Sequence, residues 1–325
     1  MSWFSFNPYD FSISFLSILF ESVPYLLLGT LISGLIEAFL PAQTLERWLP
    51  KNTAVAIGVA GVLGFFLPMC ECGVIPVIRR MIKKGLPIGP AVTYLLASPI
   101  INPVVALSTY AAFRGQEPAT VLAFRMLLAF GIACFFGALV LRLPKNKVLL
   151  PGLLEPSPAT GKRSPSLFAT LPDDSATLDS LTIAEPRPSV RSRLLAALRT
   201  GSFDFLDVAF YLVIGTMLAA VFNTAINREE VVLPLARNIW LATFSLEGLA
   251  VIISLCSTSD AFIAANFIAF PLAAKLAFLV MGPMMDIKLF LMYGLVFQKK
   301  FTVAMAASLF LGIGLICIFL NKFLP

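Results

Sequence analysis

Apolar residues fill this chain in long runs that alternate with short polar links. A helix needs about 20 predominantly apolar residues to cross a bilayer, and six runs are long enough. These predicted spans are residues 11–40, 86–113, 119–141, 203–226, 276–297 and 301–320. The pattern predicts an all-α polytopic membrane protein.

Shorter apolar runs flank two polar tips. Residues 53–68 and 74–78 flank Leu67-Pro68-Met69-Cys70-Glu71-Cys72-Gly73, and residues 231–255 and 261–274 flank Cys256-Ser257-Thr258-Ser259-Asp260. An arm as short as 74–78 cannot cross the membrane, so each tip is predicted to end a re-entrant hairpin whose irregular backbone is enclosed by protein or a water-filled cavity. For the first tip, the alternative is a solvent-side loop. For the second, it is a full span, because 231–255 is long enough to cross.

Two predicted spans are interrupted near their centres. The interruptions are Ser98-Pro99-Ile100-Ile101-Asn102-Pro103 and Gly282-Pro283-Met284-Met285-Asp286. Proline removes a backbone donor and crowds the preceding turn, so each span is predicted to break into two half-helices. Discontinuous helices of this kind form substrate and ion sites in secondary transporters. A simple proline kink is the alternative.

Composition excludes a soluble protein and several kinds of chemistry and partner. Of the 325 residues, 58% are hydrophobic and 13% are charged, whereas a soluble protein has about 25% charged residues. There is no histidine, so metal or proton chemistry must use thiol, carboxyl, hydroxyl or backbone groups. All five cysteines lie in apolar sequence, which argues against an extracellular disulfide framework. The basic residues form short clusters between apolar runs, which is typical of cytoplasmic loops, and no nucleic acid partner is predicted.

The two halves of the chain repeat each other. Residues 25–30 (YLLLGT) match residues 211–216 (YLVIGT) at an offset of 186, and Cys70 matches Cys256 at the same offset. Asn102 matches Asp286 at an offset of 184. Each half is predicted to hold three spans, one of them broken mid-membrane, plus one re-entrant hairpin. Three crossings per half make these inverted-topology repeats, a common plan in transporters.

The basic clusters predict the orientation. With the N-terminus outside, the clusters at 79–84, 145–147 and 299–300 lie on the cytoplasmic side of the cell's inner (plasma) membrane. The predicted domains are a first transmembrane repeat, residues 1–142, a cytoplasmic linker, residues 143–200, and a second transmembrane repeat, residues 201–325. The linker is rich in Pro and Ser and carries eight basic and five acidic residues, so it is predicted to be partly disordered.

The tips and breaks contain the candidate site. Thiolates are soft ligands, so Cys70, Cys72 and Cys256 are predicted to bind a soft metal or metalloid if the cargo is one. In a β-like tip, Cys70 and Cys72 would point the same way, with Glu71 opposed. A polar cage around the cargo is predicted from Ser98, Asn102, Ser257, Thr258 and Ser259.

Three carboxyl groups are candidates for a coupling proton: Glu71, Asp260 and Asp286. For Asp260 and Asp286, the alternative is a carboxylate that only caps a half-helix. Two other cysteines, Cys134 and Cys317, are predicted to be small packing residues. Arg125 lies inside an apolar run and is predicted to snorkel to the membrane surface.

At these residues the sequence resembles the ArsP-type predicted permeases, which include organoarsenical efflux permeases. The resemblance is carried by four motifs in order, at residues 70–76 (CECGVIP), 97–103 (ASPIINP), 256–262 (CSTSDAF) and 282–288 (GPMMDIK). It implies transport of arsenicals. Family tips often carry a small polar residue between the two cysteines. Glu71 departs from that pattern, and its charge favours a cation or a proton-coupled cargo.

The sequence therefore predicts a secondary-active permease rather than an enzyme. It would export a small thiophilic solute, such as a trivalent or organic arsenical, a soft metal ion or a thiol conjugate, by alternating access. Proton coupling is part of this prediction, no cofactor is predicted, and the partners are the lipid bilayer, the solute and a second copy of the chain in a homodimer. Two alternatives remain open: a membrane-embedded thiol redox enzyme, and a non-transporting sensor or scaffold.

Overall fold

The structure, a computed structural model, describes residues 8–39, 50, 52–67, 69–154, 190–225 and 238–322. The first half contains α1 (Pro8–Phe39), α2 (Thr53–Phe66), α3 (Glu71–Lys83), α4 (Ile88–Ala97), α5 (Pro103–Ala112) and α6 (Pro118–Leu141). Two short helices follow, α7 (Lys145–Val148) and α8 (Pro151–Leu154). The second half contains α9 (Val190–Ala225), α10 (Ile239–Ile253), α11 (Asp260–Asn266), α12 (Leu272–Met284), α13 (Ile287–Tyr293) and α14 (Lys299–Leu320).

Five helical segments in the described part of the chain are long and apolar enough to cross a membrane. They are Pro8–Phe39, Pro118–Leu141, Leu194–Thr224, Leu272–Tyr293 and Lys299–Leu320. The sixth predicted span is the pair α4 and α5, with ten residues in each half-helix. The predicted all-α polytopic membrane protein is confirmed.

The pattern of exposure is that of a bundle in lipid. Large apolar side chains such as Phe20, Leu107 and Leu127 are about 70% exposed, which is where lipid chains would cover them. Leu272–Tyr293 differs from the other long segments because 83% of its most apolar stretch is buried. The broken span formed by α12 and α13 therefore lies at the centre of the bundle.

Helix α1 packs against α3 and α9 with its backbone in close contact. A methyl group on Gly29 would lie 2.6 Å from the Cα atom of Gly73, so only glycine at this position lets α1 and α3 come so close. At the other contact, Gly34 faces Ala197 and Thr30 faces Gly201. The order of these contacts shows that α1 and α9 run antiparallel.

Equivalent helices pack alike in the two halves. In the first half, α4 packs against α2 and α6, and in the second half α12 packs against α10 and α14. Contacts between the halves are also paired, because α3 touches α13 and α11 touches α5. The broken helices agree as well, since Asn102 caps α5 and Asp286 caps α13. The sequence repeat therefore corresponds to a repeat of elements and contacts.

The first break lies where the sequence predicted it, and the second is shorter. Helix α4 ends at Ala97 and α5 begins at Pro103. In the second half, α12 continues through Gly282 and Pro283, and only Met285 and Asp286 separate it from α13. The prolines differ in position, because Pro99 lies between the two half-helices of the first break, whereas Pro283 lies in the last turn of α12.

The first tip is more helical than predicted. Helix α3 begins at Glu71 and continues through Gly73 and Pro76 to Lys83, so the prediction of irregular backbone up to Gly73 is wrong. Gly73 lies in the first turn of α3, where its amide donates to Sγ of the N-cap residue Cys70. At 14 and 13 residues, α2 and α3 are about 21 and 20 Å long, less than the hydrocarbon core of about 30 Å. The re-entrant hairpin stays a prediction that these lengths favour.

The predicted linker, residues 143–200, is described at its two ends. Helices α7 and α8 follow α6, and Leu149 forms an antiparallel bridge with Phe297. Residues 190–200 are the first turns of α9. Residues 155–189 lie outside the described part of the chain.

Candidate functional site

The first tip places two thiols and a carboxyl at the start of α3. Cys70 is the N-cap residue, and its Sγ accepts a hydrogen bond from the amide of Gly73 at 3.4 Å. Glu71 and Cys72 lie in the first helical turn and are 2% and 1% exposed. The β-like arrangement predicted for these three side chains is wrong, because the backbone turns into a helix at Glu71.

Lys288 of α13 joins the first tip to the second half. Its Nζ lies 3.1 Å from Oε1 of Glu71 and 3.1 Å from the carbonyl oxygen of Ser254, which ends α10 just before the second tip. The same Nζ lies 3.5 Å from Oδ2 of Asp286. Lys288 is only 1% exposed. We call Glu71, Ser254, Asp286 and Lys288 the tip junction.

Local structure explains why Lys288 reaches these partners. Asp286 caps α13 by accepting a hydrogen bond from the amide of Leu289 at 2.7 Å, which places Lys288 in the first turn of that helix. Gly215 of α9 packs directly on this turn, since a methyl group there would lie 2.7 Å from the Cα atom of Lys288. The lysine is thus held between α9 and α3.

The tip junction carries more negative than positive groups. Two carboxyl groups, on Glu71 and Asp286, surround one ammonium group. Oε2 of Glu71 and Oδ2 of Asp286 have no hydrogen-bond partner among the described residues. A buried carboxylate without full compensation is unfavourable, so this junction favours the binding of a proton or of a cationic group.

A second buried cation holds the other tip. Arg125 of α6 is 0% exposed, and its Nη1 donates to Oγ1 of Thr109 at 2.7 Å. Its Nη2 donates to Oδ2 of Asp260 at 2.9 Å and to the carbonyl oxygen of Ser257 at 3.1 Å. The prediction that Arg125 snorkels to the surface is therefore wrong. It joins the second tip to α5 and α6.

The cysteines of both tips share these surroundings. Cys72 and Cys256 both lie within electrostatic range of Lys288. Tyr25 of α1 lies within electrostatic range of both Cys70 and Cys256. Lys288 therefore lies near cysteines of both tips, inside the bundle. Among the described residues, no group of three or more Cys, Asp or Glu side chains is close enough together to hold a metal ion.

The polar residues predicted to form a cage have several different partners. Ser98 is 0% exposed, and its Oγ has no hydrogen-bond partner among the described residues. Asn102 accepts a hydrogen bond from the amide of Val104 at 2.9 Å, as a cap. Thr258 lies 3.7 Å from Sγ of Cys256, and Ser259 donates to Oε1 of Glu21 at 2.7 Å. Asp260 pairs with Arg125 rather than capping α11, whereas Asp286 both caps α13 and faces Lys288.

Sequence reasoning missed the two buried cations and two carboxyl groups. Lys288, Arg125, Glu21 and Glu247 were not among the predicted site residues, although each lies inside an apolar run. A charged residue in such a run is a signal of function in a membrane protein, and that signal was available for all four.

An apolar groove of about 620 Å³ runs along the second half. It is lined by residues of α9, α10 and α14 and by the break between α12 and α13. Among its lining residues, Asp286 is the one with a charge. The groove therefore reaches the tip junction from the side of α14.

Comparison with known proteins agrees with this architecture. Residues 10–321 match the family ArsP_1, described as "Predicted permease". The chain is 34% identical over 289 residues to the UPF0718 protein YcgR of Bacillus subtilis (strain 168), covering 88% of each chain. It is 30% identical over 305 residues to a protein of Streptococcus mutans named "Putative two-component membrane permease complex subunit", covering 94% of this chain and 92% of the relative.

A shorter match joins the chain to the UPF0718 protein MJ0584 of Methanocaldococcus jannaschii, with 33% identity over 94 residues, 28% of this chain and 26% of the relative. No solved structure matches the chain. With a family match over almost its whole length, the chain belongs to the ArsP-type predicted permease family.

Proposed function

We propose that this chain is a secondary-active permease that exports a small thiophilic solute through the space where the two tips meet. The observation that carries the proposal is the tip junction, where Lys288 bonds to Glu71 and to the carbonyl of Ser254 beside Cys72 and Cys256. Soft ligands and unbalanced carboxyl groups from both halves lie at one buried place.

Side chains at and beside the tip junction support this class of cargo. Cys70, Cys72 and Cys256 suit a trivalent or organic arsenical, a soft metal ion or a thiol conjugate. Oε2 of Glu71 and Oδ2 of Asp286, which accept no hydrogen bond among the described residues, add a preference for a cationic cargo or for a proton that travels with a neutral one. Cargo binding would compete with Lys288 for these carboxyl groups.

Alternating access requires an element with two arrangements. The pairs Glu71–Lys288 and Asp260–Arg125 each connect a tip helix to helices outside its own hairpin. We infer that one pair opens while the other stays closed, so that the cargo reaches one side of the membrane at a time.

The proposed orientation has the N-terminus outside and the central linker cytoplasmic, in the inner membrane. In support, the clustered basic residues lie together with the end of α1 and the start of α9. Arg80 bonds to Asp204 of α9 at 2.8 Å, and Lys84 bonds to the carbonyl of Glu37 at 2.8 Å. This face would be the cytoplasmic one.

For partners, we propose the lipid bilayer and a second protein subunit. The Streptococcus mutans relative is named as a subunit of a two-component permease complex, so a different membrane subunit is one candidate. A homodimer, as predicted from the sequence, is the other. Purification of the tagged chain from its own membranes with mass measurement of the intact complex distinguishes the two.

The test of the transport proposal is the variant Cys70→Ser. Serine is a good N-cap, so it preserves the hydrogen bond to Gly73 and the start of α3 while it removes the thiol. In proteoliposomes, transport of methylarsenite, arsenite and Cu(I) would be compared between this variant, Cys72→Ser and the wild type. We expect loss of transport with unchanged membrane insertion.

The matched control is Cys134→Ser in α6, where the cysteine is partly buried and belongs to neither tip. This variant should transport like the wild type. If Cys70→Ser and Cys72→Ser also transport all three probes at the wild-type rate, the thiols do not bind cargo and the proposal fails.

A further inference from the structure

Glu247 of α10 is a buried carboxyl group without a partner. It is 0% exposed, and neither of its oxygens has a hydrogen-bond partner among the described residues. Thr243, one helical turn earlier on the same face, is also 0% exposed, and its hydroxyl has no partner either. Two polar side chains on one helix face are thus buried without a hydrogen-bond partner among the described residues.

The other buried carboxyl groups described here all face a cation. Glu71 and Asp286 face Lys288, Asp260 faces Arg125, and Asp204 faces Arg80. Glu247 has no such cation in the part of the chain that the structure describes. It differs from these four because its charge, if present, would be uncompensated.

Helices that pack around Glu247 bring no charged group to it in the described part of the chain. Helices α9, α12 and α14 pack against α10. From α14, Gly314 leaves room for the carboxyl group, since a methyl group there would lie 2.8 Å from Oε2. Cys317 is the titratable neighbour, also from α14, and no charged group of α9 or α12 lies nearby among the described residues.

An isolated carboxylate in such surroundings is strongly disfavoured, so the group holds a proton instead. A metal cation is a poor alternative. Hard cations take about six or more oxygen ligands, whereas Glu247 and Thr243 supply three side-chain oxygens. The few oxygen atoms of Glu247 and Thr243 therefore suit one proton better than a metal ion.

The apolar groove passes within one helical turn of Glu247. Val251, one turn after Glu247 on the same face, lines the groove together with Phe310 and Asp286. Phe310 packs on Phe244, with ring centres 5.6 Å apart, beside Gly314. If α14 moves away from α10, water enters the groove and the carboxyl group can ionise.

We propose that Glu247 is the proton-binding residue that couples transport to the proton gradient. This inference rests on the proposed function, and it assigns the proton to a residue different from Glu71, Asp260 and Asp286. Those three are ion-paired to buried cations, so their loss would disturb the tips themselves. Glu247 can gain and lose a proton without breaking an ion pair.

The first experiment does not depend on transport. Dicyclohexylcarbodiimide is an apolar reagent that reacts with protonated carboxyl groups in membrane interiors. The purified chain in liposomes would be labelled over a series of pH values, digested and analysed by mass spectrometry. We expect an adduct on Glu247 that is lost as the pH rises, in the wild type and in Thr243→Val, and no adduct at this position in Glu247→Gln. Absence of the adduct from the wild type at every pH would overturn the proposal.

The second experiment uses methylarsenite flux in proteoliposomes with and without an imposed pH gradient. Glu247→Gln should keep the downhill flux and lose its acceleration by the gradient, while Thr243→Val should respond like the wild type. An unchanged response in Glu247→Gln would also overturn the proposal. If the wild type moves no probe at all, the proposed function fails, and the labelling experiment still decides whether Glu247 binds a proton.

Discussion

At the scale of single residues, two buried cations connect parts of the chain that are far apart in sequence. Lys288 and Arg125 are each almost fully buried, and each contacts a carboxyl group and a backbone carbonyl oxygen. A buried ion pair often contributes little net stability, because desolvation offsets the attraction. Removing one partner is different, since it leaves a buried charge unpaired.

This asymmetry predicts the effect of Lys288→Met. The variant leaves Glu71 and Asp286 without their cation, which should cost about 3–5 kcal/mol of stability. The triple variant with Glu71→Gln and Asp286→Asn removes the stranded charges as well, and Asn can still cap α13. Thermal unfolding in detergent should show a large loss for the single variant and a partial recovery for the triple variant.

The control for this comparison is Lys145→Met, at an exposed lysine of α7. It should change stability by less than about 0.5 kcal/mol. If Lys288→Met is equally mild, the contacts of Lys288 with Glu71 and Asp286 do not stabilise the fold.

At the scale of elements, close backbone contact sets the position of the first tip. Helix α1 meets the first turn of α3 at Gly29 and Gly73, so the residues that carry the thiols are held against α1. In lipid, helices associate through packing of small residues rather than through the hydrophobic effect. The tip's position should therefore depend on these two glycines.

The variant Gly29→Ala tests this dependence. The added methyl group would press on the backbone of Gly73, which cannot rotate away, so we expect a loss of about 1–3 kcal/mol. Gly131→Ala in α6 is the matched control, because a methyl group there meets nothing within 4 Å. In a helix that change should be neutral or stabilising by up to about 1 kcal/mol. Equal unfolding temperatures for both variants would contradict the assigned contact.

Sequence pattern predicted the elements better than their contacts. The break after Ala97, the repeat and the central position of the tips follow from spacing of apolar residues, proline and cysteine. The start of α3 at Glu71 does not, because the tip from Leu67 to Gly73 is predicted to be irregular, whereas tertiary packing overrides the low helix propensity of Gly73.

The sequence also could not predict which residues form ion pairs with the buried charged residues. Glu71 lies 217 positions from Lys288, and Arg125 lies 135 from Asp260. The sequence shows that a charged residue lies in an apolar helix. The packing of the neighbouring helix determines whether that residue faces lipid or a counter-ion. Arg125 illustrates this, since an arginine in an apolar span can reach the surface or bind inside, and only the position of α11 decides.

At the scale of the whole molecule, the ends of helices indicate how the two halves are related. The link before α14 bonds to the segment after α6, because Gln298 donates to the carbonyl oxygen of Leu149 at 3.1 Å. The link before α6 lies instead beside α11 and α12, where Gln116 bonds to Lys275 at 2.9 Å. The equivalent helices α6 and α14 therefore begin at opposite ends of the bundle, as α1 and α9 run antiparallel.

This arrangement predicts which positions are exposed on each side of the membrane. If the halves are inverted and the N-terminus is outside, Arg114→Cys and Ile268→Cys will react with a membrane-impermeant maleimide on intact cells. Asn146→Cys and Lys300→Cys will react only after permeabilisation. All four residues are exposed, so burial does not limit the reaction, and the wild type with its five native cysteines provides the baseline.

Labelling of Arg114→Cys and Asn146→Cys from the same side would mean that α6 does not cross the membrane. Labelling of Asn146→Cys and Lys300→Cys from opposite sides would contradict the bonds between their segments. Reaction of the second pair alone on intact cells would keep the inverted repeat and reverse the orientation, which would place the basic clusters outside.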